Sequence, residues 1–287
     1  MTTTTTTLDT VTSKDGTTIS YRRLGRGPGL VLLHGAMQTG HSNIELAQAL
    51  ADEFTCYVPD RRGRGRSGPS GPDYRLDREV EDLDALLTAT GADRVVGVSS
   101  GAIITLRTAL VRPGLRKAVI FEPPLDIDGS FPAGWLARFD REIASGRVPA
   151  ALVTGMRAAR LGPPIFNVIP RAILEPLTAM MLKSQDKTAV EEEPTFRELA
   201  PTLHNDGQLV AETAGALDLY RSIGTEVLLL GGTRSAAYLK SALTGLERVL
   251  PHARRVDLRG LDHSATGNAD QRGRPEQVAA AIRGFLS

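Results

Sequence analysis

The sequence predicts an α/β core built on a mainly parallel sheet with helices on both faces, interrupted by one helical insertion. Three observations predict it. Short runs rich in Val, Ile and Leu alternate with stretches of helical periodicity over most of the chain. The alternation stops after Phe121 and resumes at Glu226. The composition is that of an ordinary globular protein, with 287 residues, 41% hydrophobic and 23% charged, enough for one large core without staples.

The elements follow in order. Thr17 to Arg22 alternates as a half-buried strand does, and Leu30 to Leu33 is a buried-type run. Asn43 to Glu53 places Ile44, Leu46, Ala47 and Leu50 on one helical face, and Phe54 to Val58 reads as the next strand. Leu76 to Thr88 spaces Val80, Leu83, Leu86 and Leu87 as a helix does; strand Arg94 to Val98 and helix Gly101 to Leu110 follow. Lys117 to Phe121, Glu226 to Leu230 and Arg255 to Leu258 are the later strands, and Pro275 to Leu286 is a closing helix. Residues 125–210 hold no convincing strand, only short Ala/Leu/Met-rich pieces between eight prolines, from Pro132 to Pro201. The expected organisation is a core of residues 1–124 and 211–287 with a helical cap at 125–210, set over the carboxyl ends of the strands where open α/β sheets carry their chemistry.

Charge and cysteine content narrow the function classes. A net charge of +1 supplies no field to gather nucleic acid or an anionic membrane. The lone cysteine, Cys56, excludes an intrachain disulfide and permits a reducing compartment. The threonine run Met1 to Thr7 lacks the basic end and apolar stretch of a secretory signal and is expected to be disordered. No apolar run approaches a membrane span. A cytoplasmic protein acting on a small molecule is expected, with no nucleic-acid or membrane partner. No His/Cys/carboxylate cluster has metal spacing, so neither a metal nor another cofactor is expected.

Three motifs carry chemistry. Gly97-Val98-Ser99-Ser100-Gly101 joins a buried-type strand to a helix. So tight a turn strains Ser99, exposes its hydroxyl above the sheet and aims the Ser100 N–H at the reacting carbon; the glycines remove side chains that would clash. Taken without this context, the pattern is no more than a glycine-rich loop with two serines. Leu32-Leu33-His34-Gly35-Ala36 ends another buried strand in a turn. Acyl transfer needs two N–H donors for the oxyanion; Ser100 offers one and Ala36 the second, with Met37 as the fallback. His34, lying at that turn, reads as a structural hydrogen-bonder. Gly260-Leu261-Asp262-His263-Ser264 lies between the last strand and the last helix, which sets His263 at the same sheet edge as a candidate base for Ser99.

Together with Asp60-Arg61-Arg62-Gly63-Arg64-Gly65-Arg66-Ser67, these motifs resemble the α/β-hydrolase superfamily over nearly the whole chain outside the insertion. The resemblance implies the α/β-hydrolase fold, an eight-stranded sheet, a cap and a triad in the order Ser, acid, His. One position departs from it. The family's usual acid follows the strand that is here Val227 to Leu230, yet this chain reads Gly231-Gly232-Thr233-Arg234-Ser235. The neighbouring strand ends in Glu122-Pro123-Pro124, and some family members resemble this arrangement, so Glu122 is the expected acid. Asp126 and Asp128 lie further into the loop, and Asp262 adjoins His263 in a way that points its side chain elsewhere.

Other features read as structural. Gly63-Arg64-Gly65-Arg66-Ser67-Gly68 has dinucleotide-site spacing, but Pro69-Ser70-Gly71-Pro72 forbids the helix such a site needs; its arginines suggest an ordered loop with internal ion pairs. Glu191-Glu192-Glu193 reads as a solvated face or a helix start. Met156, Ile165, Phe166, Ile169, Met180 and Met181 pack between insertion helices or roof the pocket; Met37, Met180 and Met181 are the candidate substrate-binding residues. The expected function is a serine hydrolase cleaving an ester, lactone or thioester through a Ser99 acyl-enzyme, the substrate having an apolar portion. The same residues also suit a carbon–carbon bond hydrolase, an acyl transferase or a cyclase/lyase of specialised metabolism. A ligand-binding protein on a hydrolase scaffold is the alternative of a different class.

Overall fold

A computed structural model describes residues 5–127, 129, 131–132, 134–160, 164–188 and 193–287. Asp128, Glu191 and Glu192, discussed above, lie outside these residues. Eight strands form one sheet: β1 (Thr7–Thr12), β2 (Thr18–Gly25), β3 (Gly29–Leu33), β4 (Thr55–Pro59), β5 (Arg94–Val98), β6 (Lys117–Phe121), β7 (Glu226–Gly232) and β8 (Ala253–Leu258). Their order is β1-β2-β4-β3-β5-β6-β7-β8. Only the β1/β2 and β2/β4 pairs are antiparallel.

The core follows from strand alternation. Val31, Leu33, Val95, Ala118, Ile120, Val227 and Leu229 face α2 (Leu76–Thr90), α3 (Ser100–Val111) and α9 (Ala237–Val249). Leu30, Leu32, Val96, Val98, Val119, Phe121, Leu228 and Leu230 face α1 (Ile44–Leu50) and α10 (Pro275–Leu286). Both faces are covered, so the central strands read as continuous apolar runs. Each fully buried Leu, Ile, Val or Phe contributes about 1.5–3 kcal/mol of transfer free energy. In α3 the 0%-exposed Thr105 and Thr108 return their hydroxyls to the carbonyls of Gly101 and Ile104, which satisfies polar atoms inside that core. α2 ends at Gly91, whose φ of +67° suits a residue without Cβ.

Three elements depart from the sequence reading. Thr7, assigned to a disordered tail, begins β1, which pairs with β2 through a turn at Asp15-Gly16. This edge strand is almost wholly exposed, so it lacks the apolar alternation by which strands are recognised. Helix α9 was also missed, although Leu239, Leu243 and Leu246 bury one face of it. Between β6 and β7 every regular element among the described residues is helical: α4 (Trp135–Ala144), α5 (Val148–Ala158), α6 (Arg171–Thr188), α7 (Phe196–Leu199), α8 (Leu203–Glu212) and short 3-10 turns. α6 is no short piece; it runs 18 residues through Pro176. No helix among the described residues is long and apolar enough to cross a membrane.

Register brings the site to one level. Leu33 pairs with Gly97, Val98 with Phe121, and Phe121 with Leu230. Ser99 and Glu122 each lie one residue beyond a paired strand end, side by side at the carboxyl edge. The strand order reverses between β3 and β5, and the crevice at that switch point separates the His34 turn from the Ser99 turn.

Candidate active site

Ser99 and Glu122 are both held at positive φ, 54° and 46°, which L-residues rarely adopt. Such backbone costs on the order of 1–3 kcal/mol and persists where the surroundings over-determine it. Here the sheet ladder continues one step past the strands: the Ser99 N–H donates to Phe121 O (2.8 Å) and the Glu122 N–H to Leu230 O (3.2 Å). Chain then leaves each strand end at once. Close approach makes glycine necessary nearby. A Cβ on Gly97 would lie 2.3 Å from Thr105 Oγ1, and one on Gly101 2.4 Å from Leu33 O. A Cβ on Gly35 would lie 2.8 Å from Ser99 Cβ, so the His34 turn presses directly on the serine.

The structure brings Ser99, His263 and Glu122 into one hydrogen-bonded series. His263 Nδ1 lies 2.7 Å from Glu122 Oε2, and His263 Nε2 lies 3.2 Å from Ser99 Oγ. A carboxylate only accepts, so Nδ1 carries the proton and Nε2 turns its lone pair to the serine. The Phe121 ring stacks on the imidazole, centroids 6.0 Å apart and planes 25° from parallel. Glu122 is 0% exposed, and its second oxygen accepts the Gly232 N–H at 2.6 Å. Gly231 and Gly232 are therefore more than a missing acid. A Cβ on Gly231 would stand 3.1 Å from Glu122 Oε1, so its bare backbone leaves the space that this side chain fills.

Alternative acids turn elsewhere. Asp262 accepts from the Ser264 N–H (3.0 Å) and hydroxyl (2.7 Å), and Asp126 accepts from the Phe131 N–H at 3.3 Å. His34 is fully buried between two backbone partners: Nε2 accepts from the Arg61 N–H (3.1 Å), so Nδ1 donates to Gly35 O (2.9 Å). Burial, reinforced by the charges of Arg64 and Arg61, holds its pKa well below the ordinary histidine value. It is a neutral strut. The Ala36 and Ser100 N–H groups flank Ser99 and donate to no protein acceptor among the described residues.

A cavity of about 190 Å³ opens over Ser99 and His263. Met37, Val98, Pro124 and Tyr238 line it from the sheet side, and Phe131, Trp135, Leu152, Met156, Leu203 and Val210 from the insertion. Met180 and Met181 do not line it. They stand 65% and 42% exposed on the outward face of α6, because Leu174, Thr178 and Leu182 form the inward stripe of that helix. Sequence reasoning placed Met37 in the site and left Met156 open between packing and roofing; it missed Trp135, Tyr238 and Asp206, which reach the cavity from distant helices. Helix periodicity marks such residues as buried without saying against what.

The arginine-rich loop is ordered and ion-paired, but its named arginines pair with acids on α2 and α8 and not within the loop. Arg61 reaches Glu79 (2.7 Å) and Asp206 (2.9 Å), Arg62 reaches Asp82 (2.6 Å), and Arg64 reaches Asp206 (2.6 Å). Asp60 joins the loop to the Gly40 turn and to Arg22.

A parallel sheet with a strained serine at a strand-to-helix turn, answered by a histidine and a buried carboxylate at neighbouring strand ends, defines a hydrolase scaffold. The alpha/beta hydrolase family matches residues 30–281, and the chain belongs to it. It is similar to an α/β hydrolase from Sphaerobacter thermophilus, with 32% identity, a TM-score of 0.79 and coverage of 97% of this chain and 100% of that one. It is also 26% identical to the pimeloyl-[acyl-carrier protein] methyl ester esterase of Stenotrophomonas maltophilia, over 92% of this chain and 94% of that enzyme. A shorter match, 36% identical over 123 residues, is to the N-formylmaleamate deformylase of Pseudomonas putida and spans 46% of that enzyme's length. Family and relatives support hydrolase activity in general.

Proposed function

We propose that the protein is a serine hydrolase that cleaves uncharged carboxylic esters, lactones or thioesters through a Ser99 acyl-enzyme. One observation carries this reading: the Glu122–His263–Ser99 series, with contacts of 2.7 and 3.2 Å, beside two backbone N–H groups that have no protein acceptor among the described residues. Ser99 Oγ attacks the substrate carbonyl as its proton passes to His263 Nε2. The carbonyl oxygen becomes an oxyanion held by the Ala36 and Ser100 N–H groups. On collapse the His263 proton goes to the leaving alcohol or thiol, and the acyl group stays on Ser99. Water, deprotonated by His263, then releases the carboxylic acid and restores the serine. Buried Glu122 holds the imidazole and stabilises its cation as it forms.

The walls support the substrate class. They are mostly apolar, and the one carboxylate among their described residues, Asp206, is already paired with Arg61 and Arg64. Among the described residues no Arg or Lys lines the cavity to receive an anionic acyl group. The helical insertion acts as the cap that sets substrate choice, and a cavity near 190 Å³ suits short or medium acyl chains. Steady-state hydrolysis of p-nitrophenyl esters of increasing chain length tests the reading. It predicts multiple turnovers on neutral short-chain esters, abolished in Ser99→Ala. Binding without turnover across the panel, or turnover that survives Ser99→Ala, contradicts it.

A further inference from the structure

Asp206 sits on α8 of the insertion, yet among the described residues its carboxylate bonds to Arg61, Arg64 and Ser100, all at the sheet edge. Oδ1 accepts the Ser100 hydroxyl at 2.7 Å and Arg61 Nη1 at 2.9 Å. Oδ2 accepts Arg64 Nη2 at 2.6 Å, and Arg64 Nη1 donates to Gly35 O at 2.9 Å. Asp206, Arg61 and Arg64 are each buried to within 4% of complete.

Two of the groups tied together in this way, Gly35 O through Arg64 and the Ser100 side chain directly, belong to the segments that carry the proposed oxyanion donors. Gly35 O and the Ala36 N–H are opposite ends of one trans peptide. A guanidinium clamped on the carbonyl therefore aims the N–H the other way, into the cavity that Ala36 lines, and polarises it as a donor. Ser100 supplies the second N–H, and its side chain is tied to the same carboxylate. Thus one residue of the insertion fixes both donors, through Arg64 on one side and the Ser100 hydroxyl on the other.

We propose that Asp206 is a positioning residue through which the insertion, seated on the core, assembles the oxyanion hole. The inference rests on the acyl-enzyme reading above. With α8 displaced, Arg61 and Arg64 lose their shared counter-ion and Ser100 Oγ its acceptor, and Gly35 O is left with His34 Nδ1 as its one firmly held donor, so the donors lose alignment. Burial alone would raise the Asp206 carboxyl, but the charges of Arg64 and Arg61 and the Ser100 and Arg61 hydrogen bonds outweigh it and hold it below the ordinary carboxylate range. It stays anionic and able to serve both arginines.

The test compares wild type, Asp206→Asn, Arg64→Met and the double variant, each normalised to the fraction labelled at Ser99 by a fluorophosphonate. Two probes of one shape are used: a trifluoromethyl ketone, whose carbonyl carbon bonds to Ser99 Oγ as the serine proton passes to His263 and its oxygen becomes an oxyanion, and the matching secondary alcohol, which cannot react. In Asp206→Asn, kcat/KM on p-nitrophenyl acetate and ketone affinity are expected to fall together by about 10²-fold, the loss typical of one oxyanion donor. KM and alcohol affinity should move less than threefold. The double variant should lose far less than the product of the two single losses, since both act on one path. Should Asp206→Asn not fold, Arg64→Met alone must still weaken the ketone selectively. Wild type unlabelled at Ser99 overturns the acyl-enzyme reading and this inference with it. Intact labelling, with per-site kcat/KM and ketone affinity unchanged in the variants, overturns this inference alone.

Discussion

Glu122→Gln isolates the relocated acid, because it changes one oxygen to nitrogen in a side chain whose two oxygens have different partners. Oε1 accepts the Gly232 N–H at 2.6 Å and Oε2 meets His263 Nδ1 at 2.7 Å. A glutamine that keeps its oxygen on Gly232 turns its NH₂ toward Nδ1. The imidazole proton then moves to Nε2, where it faces Ser99 and cannot accept the hydroxyl proton. Flipping the amide restores the tautomer but sets an N–H against the Gly232 N–H in a fully buried site, at about 1–3 kcal/mol. That leaves roughly 1–20% of molecules competent, and these still lack the charge that stabilises the imidazolium. The combined loss in kcat is expected at about 10³–10⁴-fold, or about 4–5.5 kcal/mol of barrier. The assay is p-nitrophenyl ester turnover with circular dichroism to confirm folding; Asp126→Asn and Asp262→Asn, whose carboxylates turn to loop groups, should cost far less. Near-normal turnover in folded Glu122→Gln refutes the assignment.

Three further outcomes are expected. Gly35→Ala puts a methyl 2.8 Å from Ser99 Cβ and should cut kcat/KM by about 10–10²-fold, measured against the same esters; an unchanged value contradicts the crowded turn. His34 has its folded pKa below the ordinary value through burial and the adjacent arginines, so the unfolded chain takes up a proton that the folded one refuses. Stability is then full above about pH 6.5 and falls below it by up to about 1.4 kcal/mol per pH unit; urea melts between pH 7.5 and 5.5 should show a shallower slope in His34→Asn, and equal slopes count against it. Met180→Ala and Met181→Ala should leave ester chain-length preference unchanged, whereas Met156→Trp or exchange of residues 125–210 for another member's insertion should shift it while fluorophosphonate still labels Ser99.

The sequence reading reached furthest where local pattern and chemistry coincide. Val96, Val98, Val119 and Leu228 lie in fully buried parallel strands, so apolar runs alone marked them. Glu122 was legible because a carboxylate followed a strand end and the usual place held glycines. What those glycines do, leaving volume for Glu122 and donating the Gly232 N–H, is a three-dimensional fact. β1 escaped notice because an exposed edge strand has no buried face to write a pattern. Asp206 escaped because its partners Arg61 and Arg64 lie 145 and 142 residues away, and an isolated Asp in a helix start reads as solvated. Met180 and Met181 were misassigned because composition says that a helix is apolar, while a shift of one position decides which side turns inward.

Central to the proposed mechanism is Ser99 as a nucleophile activated by His263. Treatment with a fluorophosphonate followed by peptide mass mapping addresses it most directly. One adduct per chain is expected, on the peptide containing Ser99, absent in Ser99→Ala and formed at least 10²-fold more slowly in His263→Ala. An adduct on another residue, or undiminished labelling in Ser99→Ala, contradicts the account.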